Sequence, residues 1–290
     1  MRKTFLILLI CGLCAARAAA QESGNRSYNQ NNARRTPPNV GVTYANGDLV
    51  IDAYVLLNAA PDEFVAVFGV AQEAPTAVES NQKVNAQIGQ LLDAAAGLGV
   101  ARGDTFVDFI TQNRIYTFSP DADNTIREKL VGFETKKTVA LRYKERALLE
   151  KLTTAAARVG IFDLIKVDYV VNDMRAVRQR LFEAAVGAVK QKEENYTRVL
   201  GMVIKRSVLL QETYDTHYPA ELYQTYTAFE SGAVDVPYNS GARVIRERKS
   251  RTSYLEPLDR SAFDAVLNPA GMEPSVQCTL YMKVLYTVAR

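Results

Sequence analysis

Two segments of this chain, AAAGLGV at 94–100 and AAARVGI at 155–161, are near copies of each other. In each, three alanines permit close approach to a neighbouring layer, one large aliphatic residue plugs a last turn, and a glycine precedes an aliphatic residue. That is the pattern of a helix ending in a left-handed glycine before a strand. The residues upstream agree. Val84, Ile88, Leu91, Leu92, Ala95 and Leu98 share one helical face ahead of Gly99, and Leu148, Leu152, Ala155, Ala156 and Val159 share another ahead of Gly160.

Strand patterns flank both helices. FVAVFGVAQ at 64–72 is apolar on both parities, which predicts a strand covered on both faces. GDTFVDFITQNRIYTF, GFETKKTVALRY and DLIKVDYVV read as further strands. The order from 64 to 171 is therefore strand, helix, strand, strand, helix, strand, the split βαβ arrangement of ferredoxin-like folds. Ahead of it, DLVIDAYVLL at 48–57 reads as a strand broken by NAAPDE. After it, a third helix is expected from Asp173 to Arg198, with Met174, Val177, Leu181, Ala185 and Ala188 on one stripe, leading through Gly201 into MVIKRSVLLQE. The last residues alternate, Val276, Cys278, Leu280, Met282 and Val284 against Gln277, Thr279, Tyr281 and Lys283, as a half-buried strand does. The fold class expected is α+β: a ferredoxin-like βαββαβ segment, a third long helix, and a C-terminal strand completing a mixed sheet.

The first residues, MRKTFLILLICGLCAARAAA, combine a cationic start, a short apolar run and small residues before Gln21. This is the pattern of a cleaved export signal. The bulky Ile10 and Leu13 before Cys11 and Cys14 argue against a lipid-anchoring cysteine. Loss of residues 1–20 removes Arg2, Lys3 and Arg17 and no acid, so the formal charge of +3 falls to zero and the electrostatic motive for nucleic-acid binding goes with it. Cys278 is then the one remaining cysteine, so no internal disulfide is expected. The organisation expected is a signal peptide at 1–20, a disordered polar leader at 21–45, a core at 46–212, a Tyr/Arg-rich insert at 213–274, and a terminal core strand at 275–290.

With these blocks in order, the chain resembles the SIMPL-domain family of bacterial envelope proteins. The resemblance is carried by APDEFVAVFGVAQEAPTAVES, LGVARGD, GFETKKTVALRYKE, AAARVGIFDLIKVDYVVND and EAAVGAVKQKEENYTRVLG, over about residues 48–212 together with the terminal strand. The third helix departs from it in carrying Lys190, Asn195 and Tyr196, and the 213–274 stretch is longer than usual. The resemblance implies a periplasmic or envelope-associated, oligomeric α+β protein, linked in some relatives to oxidative-stress defence. It implies no catalytic residues.

The residues themselves supply little catalytic chemistry. His217, the sole histidine, stands in YDTHYPAE without a histidine or cysteine cluster, so it reads as a solvated or structural loop residue rather than a metal ligand. Cys278 faces inward on its strand and reads as an inert buried thiol. Asp62 follows Pro61 and reads as a turn residue at the start of a strand. No nucleophile elbow and no phosphate-cradling glycine loop is present. Neither a cofactor nor a metal is expected. One candidate ligand site lies in the insert: Arg243, Arg246 and Arg248 with Tyr238 and Tyr254 as stacking partners, suited to a glycan, peptide or lipid headgroup. The leading expectation is a non-enzymatic envelope protein that self-assembles and supports envelope integrity or stress defence, and the alternative is a periplasmic binding module acting through that insert.

Overall fold

The structure, a computed structural model, describes residues 41–120, 125–227, 251–269 and 273–289. The chain begins with a hairpin of β1 (Val42–Ala45) and β2 (Asp48–Ala59), turned at Asn46 and Gly47, both at positive φ. β3 (Glu63–Ala74), α1 (Ala77–Gly97), β4 (Thr105–Pro120), β5 (Ile126–Tyr143), α2 (Leu148–Arg158) and β6 (Asp163–Val170) follow, which is the order expected from the repeated segments. They form one antiparallel sheet, β4-β5-β3-β6. The two strands that flank the first helix in sequence are not neighbours in this order, as the split βαβ pattern requires.

The near-copies end their helices by the same bonds. Val100 N–H donates to Ala95 O at 3.0 Å and Gly99 N–H to Ala96 O at 3.0 Å, while Ile161 N–H donates to Ala156 O at 2.9 Å and Gly160 N–H to Ala157 O at 3.0 Å. Gly99 and Gly160 stand at φ +95° and +79°. This is the Schellman pattern, with Val100 and Ile161 buried beside the last alanines as its hydrophobic contacts. At its start α1 is capped by Thr76, whose Oγ1 accepts from Glu79 N–H at 3.2 Å.

Both helices cover the same sheet face. Phe64, Ala66, Phe68 and Val70 of β3 and Val139, Leu141 and Tyr143 of β5 pack with Val84, Ile88, Leu91 and Ala95 of α1 and Leu152 and Ala156 of α2. Within this core a hydroxyl pair, Ser80 Oγ and Thr135 Oγ1 at 2.8 Å, satisfies the buried polar atoms.

The third helix serves a second sheet. α3 (Met174–Leu200) is capped by Asp173, whose Oδ1 accepts from Ala176 N–H at 2.9 Å, and by Gly201 at φ +63°. Its stripe of Val177, Leu181, Ala185 and Val189 packs on Leu49, Ile51, Ala53, Val55 and Leu57 of β2 and on the terminal strand. After β7 (Val203–His217), the one-turn α4 (Pro219–Leu222), β8 (Tyr223–Thr227), β9 (Arg251–Leu255) and β10 (Ala265–Leu267), the chain ends with β11 (Val276–Ala289). The second sheet runs β1-β2-β11-β7, with β10 joined parallel to β2, so the terminal strand completes a mixed sheet as expected. That sheet is separate from the ferredoxin-like one.

Residues 213–217, read from sequence as the start of an insert, continue β7 and pair with β11. Residues 255–269 also return to the second sheet. Phe263 stacks on Tyr54 at 4.4 Å, and Gln277 Oε1 accepts from Leu258 N–H at 2.8 Å while its Nε2 donates to Asn58 Oδ1 at 2.8 Å. Residues 224–227 and 251–254 belong to a second compact unit, which holds the two-stranded pairing of β8 and β9.

Candidate assembly surface

Among the residues singled out from sequence, Tyr238, Arg243, Arg246 and Arg248 lie outside the described residues. Tyr254 lies on β9 and is exposed. His217 is not the solvated loop residue that was one of its two readings. It closes β7 opposite Gln277 and is 4% exposed, with its Nε2 3.5 Å from Asp215 Oδ2. Cys278 is buried as expected, and burial pushes its thiol up, only partly offset by a hydrogen bond with Thr216. Asp62 ties two strand ends together: its backbone N–H donates to Val170 O at 2.8 Å and its Oδ2 accepts from Asn172 N–H at 2.7 Å. Among the described residues no group of His, Cys, Asp and Glu is placed to hold a metal ion, and none of their helices is long and apolar enough to cross a membrane.

Polar depressions on the surface are shallow and open. One beside α3 is lined by Met174, Arg175, Arg178, Phe182 and Tyr214, with the Arg178 guanidinium 5.9 Å from the Tyr214 ring centre. Another lies at the foot of β4, where Arg142 Nε donates to Asp104 Oδ1 at 2.9 Å beside Val65, Phe106 and Ala140. Neither brings a nucleophile together with a base, and neither is enclosed enough to exclude water from a reaction.

The unusual chemistry of this surface is apolar. α1 and α2 cover one face of the β4-β5-β3-β6 sheet. On the other face the register aligns Phe106, Ala140 and Val67 across three strands, beside Ile165 of β6. Phe106 is 66% exposed and Ile165 57%. A second apolar region follows from strand length. β3 stops at Ala74, opposite Phe133, while β4 and β5 go on pairing with each other from Arg114↔Phe133 to Pro120↔Ile126. The outer part of this hairpin is thus a two-stranded arm. Because side chains alternate between faces, Tyr116, Phe118, Ile126 and Leu130 share one side of it, and Thr117, Ser119, Arg127 and Lys129 the other. Phe118 and Ile126 are each 69% exposed.

The sequence pattern marks the β4 side of this arm as far as Phe118 but starts the next strand at Gly132, so residues 126–131, and the arm with them, were missed. Alternation of Tyr116 with Phe118 and of Ile126 with Leu130 was the available signal. What it could not show is that no third strand accompanies them.

The chain is similar to the 26 kDa periplasmic immunogenic protein of Brucella melitensis biotype 1, with 22% identity over 157 residues, and to the protein of the same description from Brucella abortus strain S19, also at 22%. Each match takes in 54% of this chain and 63% of the relative, so the chain spans less than two thirds of the length of these relatives. The family model described as SIMPL, protein of unknown function (DUF541), matches residues 51–253, well over half of the chain; the chain belongs to the SIMPL family.

Proposed function

We propose that this protein is a non-catalytic component of the periplasm that self-associates and, as an assembly, supports envelope integrity. One observation carries the reading: the β4-β5-β3-β6 sheet leaves large apolar side chains exposed in two places, Phe106 and Ile165 on the face that the helices do not cover and Tyr116, Phe118, Ile126 and Leu130 on the arm, and Val203, Leu209 and Leu210 of β7 are exposed as well. Monomeric proteins rarely leave large apolar patches bare, and the usual purpose of such a patch is contact with another protein or a membrane. Strand β4 adds to it. It is 16 residues long and lies at the sheet edge with β5 as its neighbour, so its outer backbone groups are available for further pairing. The periplasmic relatives and the export-like start at residues 1–20 support the compartment. Finding no nucleophile–base pair among the described side chains keeps catalysis out of the proposal.

Light scattering over a concentration series measures the native mass directly. The expected result is a mass several times that of the 32.1 kDa chain, less its leader. A monomer at every concentration overturns the proposal.

A further inference from the structure

We propose that the groove between α3 and β7 binds an extended acidic peptide, which joins the second sheet as a strand along β7 and sets its carboxylate against Arg175 and Arg178. This site is on the other sheet from the β4–β5 arm and does not depend on self-association.

The groove follows from how far one helix reaches. A helix with its side chains is about 10 Å across and strands lie about 4.8 Å apart, so a helix laid along a sheet covers about two of them. α3 lays Val177, Leu181, Ala185 and Val189 on β2 and β11. On β11 the residues beneath it, Leu280, Met282, Val284 and Tyr286, are at most 9% exposed. Their neighbours on β7 are Tyr214, Glu212, Leu209 and Ser207, on the same side of the sheet. There the cover has run out, and Leu209 is 50% exposed. The flank of α3 is therefore one wall, and this row of β7 is the floor.

The far side of the groove is a strand edge. β7 is 15 residues long and ends the order β1-β2-β11-β7, so among the described residues no strand lies beyond it. An extended chain laid there gains main-chain hydrogen bonds, and its alternate side chains turn in against α3.

The side chains of the groove select what that chain carries. At one end Arg175 and Arg178 meet Tyr214, with the Arg178 guanidinium 5.9 Å from the ring centre. Neither arginine is in an ion pair among the described residues. The acid on the same row, Glu212, accepts from the Tyr214 hydroxyl. A carboxylate from outside is what this end lacks. Phe182 stands one helical turn on from Arg178, about 6 Å, and the next same-face position of an added strand is about 6.8 Å on. The position after that reaches Leu209, because Tyr214 pairs with Leu280 and Leu209 with Val284, two same-face steps apart. Added antiparallel to β7, the chain that fits reads acid, then an apolar residue at each of the next two alternate positions.

The test is fluorescence anisotropy with a labelled peptide, Thr-Asp-Thr-Phe-Thr-Val-Thr, and its analogue with Lys in place of Asp, with far-UV circular dichroism confirming that each protein variant is folded. The wild type should bind the Asp peptide about tenfold or more tightly than the Lys peptide, and Arg178→Glu should reverse that order. Phe182→Ser should weaken both. Thr-Asp-Pro-Phe-Pro-Val-Thr, which lacks two of the backbone donors, should lose about tenfold. No saturable binding of either peptide overturns the proposal, and so does binding that neither Arg178→Glu nor Phe182→Ser alters. Equal affinity for the Asp and Lys peptides overturns the acidic partner, and a proline peptide that binds as well as its parent overturns strand addition. A native mass lowered by Phe182→Ser, with no peptide bound by the wild type, would put a second copy of the chain in the groove instead. Wild type that is monomeric overturns the self-association reading and leaves these outcomes as they stand.

Discussion

At the scale of single residues, the polar groups inside the structure bind elements together. Gln277, Asn58 and Asn268 form a linked set, with Asn58 Nδ2 donating to Asn268 O at 3.0 Å and Arg180 reaching Asn268 Oδ1 at 3.2 Å. The burial of Gln277 and Asn58 could not be read from sequence. Gln277 looked like an outward residue on an alternating strand and is 2% exposed, because residues 255–269 fold back over that end of the sheet. The buried tyrosines carry a pH dependence. Tyr143 lies against Phe64, with ring centres 5.5 Å apart, and burial followed by its neighbour Tyr169 pushes its hydroxyl from the ordinary 10.0 to about 12. Between those values the unfolded chain has lost the proton and the folded chain keeps it. The contribution is fully present below pH 10 and is lost as pH rises through about 12. Denaturation midpoints of the wild type should therefore fall across that interval, and those of Tyr143→Phe should fall less steeply. Parallel midpoint curves for the two proteins would show that Tyr143 does not carry the dependence.

At the scale of elements, the repeated helix ends support a sharper prediction. Gly160 holds φ +79°, and a Cβ there would stand 3.1 Å from Gln87 Nε2, which donates to Val159 O at 2.8 Å. Gly97 lies inside α1 with nothing within 4 Å of such an atom. Gly160→Val should cost about 1–3 kcal/mol through strain at positive φ, whereas Gly97→Ala should gain about 0.5–1 kcal/mol in helix propensity. Equal urea midpoints would contradict the helix ends described. The two ends were legible because local rules set them: a stripe, a small-residue turn and a glycine. So were the long strands and the order βαββαβ, which rest on period. β1 and β10 were not, since strands of 4 and 3 residues hold no period of their own and exist by pairing with β2. The separation into two sheets also escaped the sequence, because β2 and β3 look alike, and what divides them is which helix each one faces. As for the candidate site, its apolar alternation was visible at Tyr116 and Phe118. Its exposure depends on β3 ending at Ala74, a non-local fact.

At the scale of the whole molecule, the two sheets have separate cores, yet they are tied at a few positions. Leu91 is wholly buried between α1 and the ferredoxin-like sheet, and Leu181 between α3 and the second sheet. Tyr169 of β6 packs against both cores, and the Asp62 bonds to Val170 and Asn172 fasten the β2–β3 link to the β6–α3 link. Losing either sheet would strip one side of Tyr169 and free both links at once, so the cores should melt together. Leu91→Ala and Leu181→Ala should each cost about 2–5 kcal/mol. At a fixed protein concentration each should lower the midpoint of the same thermal transition, followed both by circular dichroism and by tyrosine fluorescence. Two resolved transitions, with Leu91→Ala shifting one and Leu181→Ala the other, would mean that Tyr169 and Asp62 join the sheets without coupling their stability.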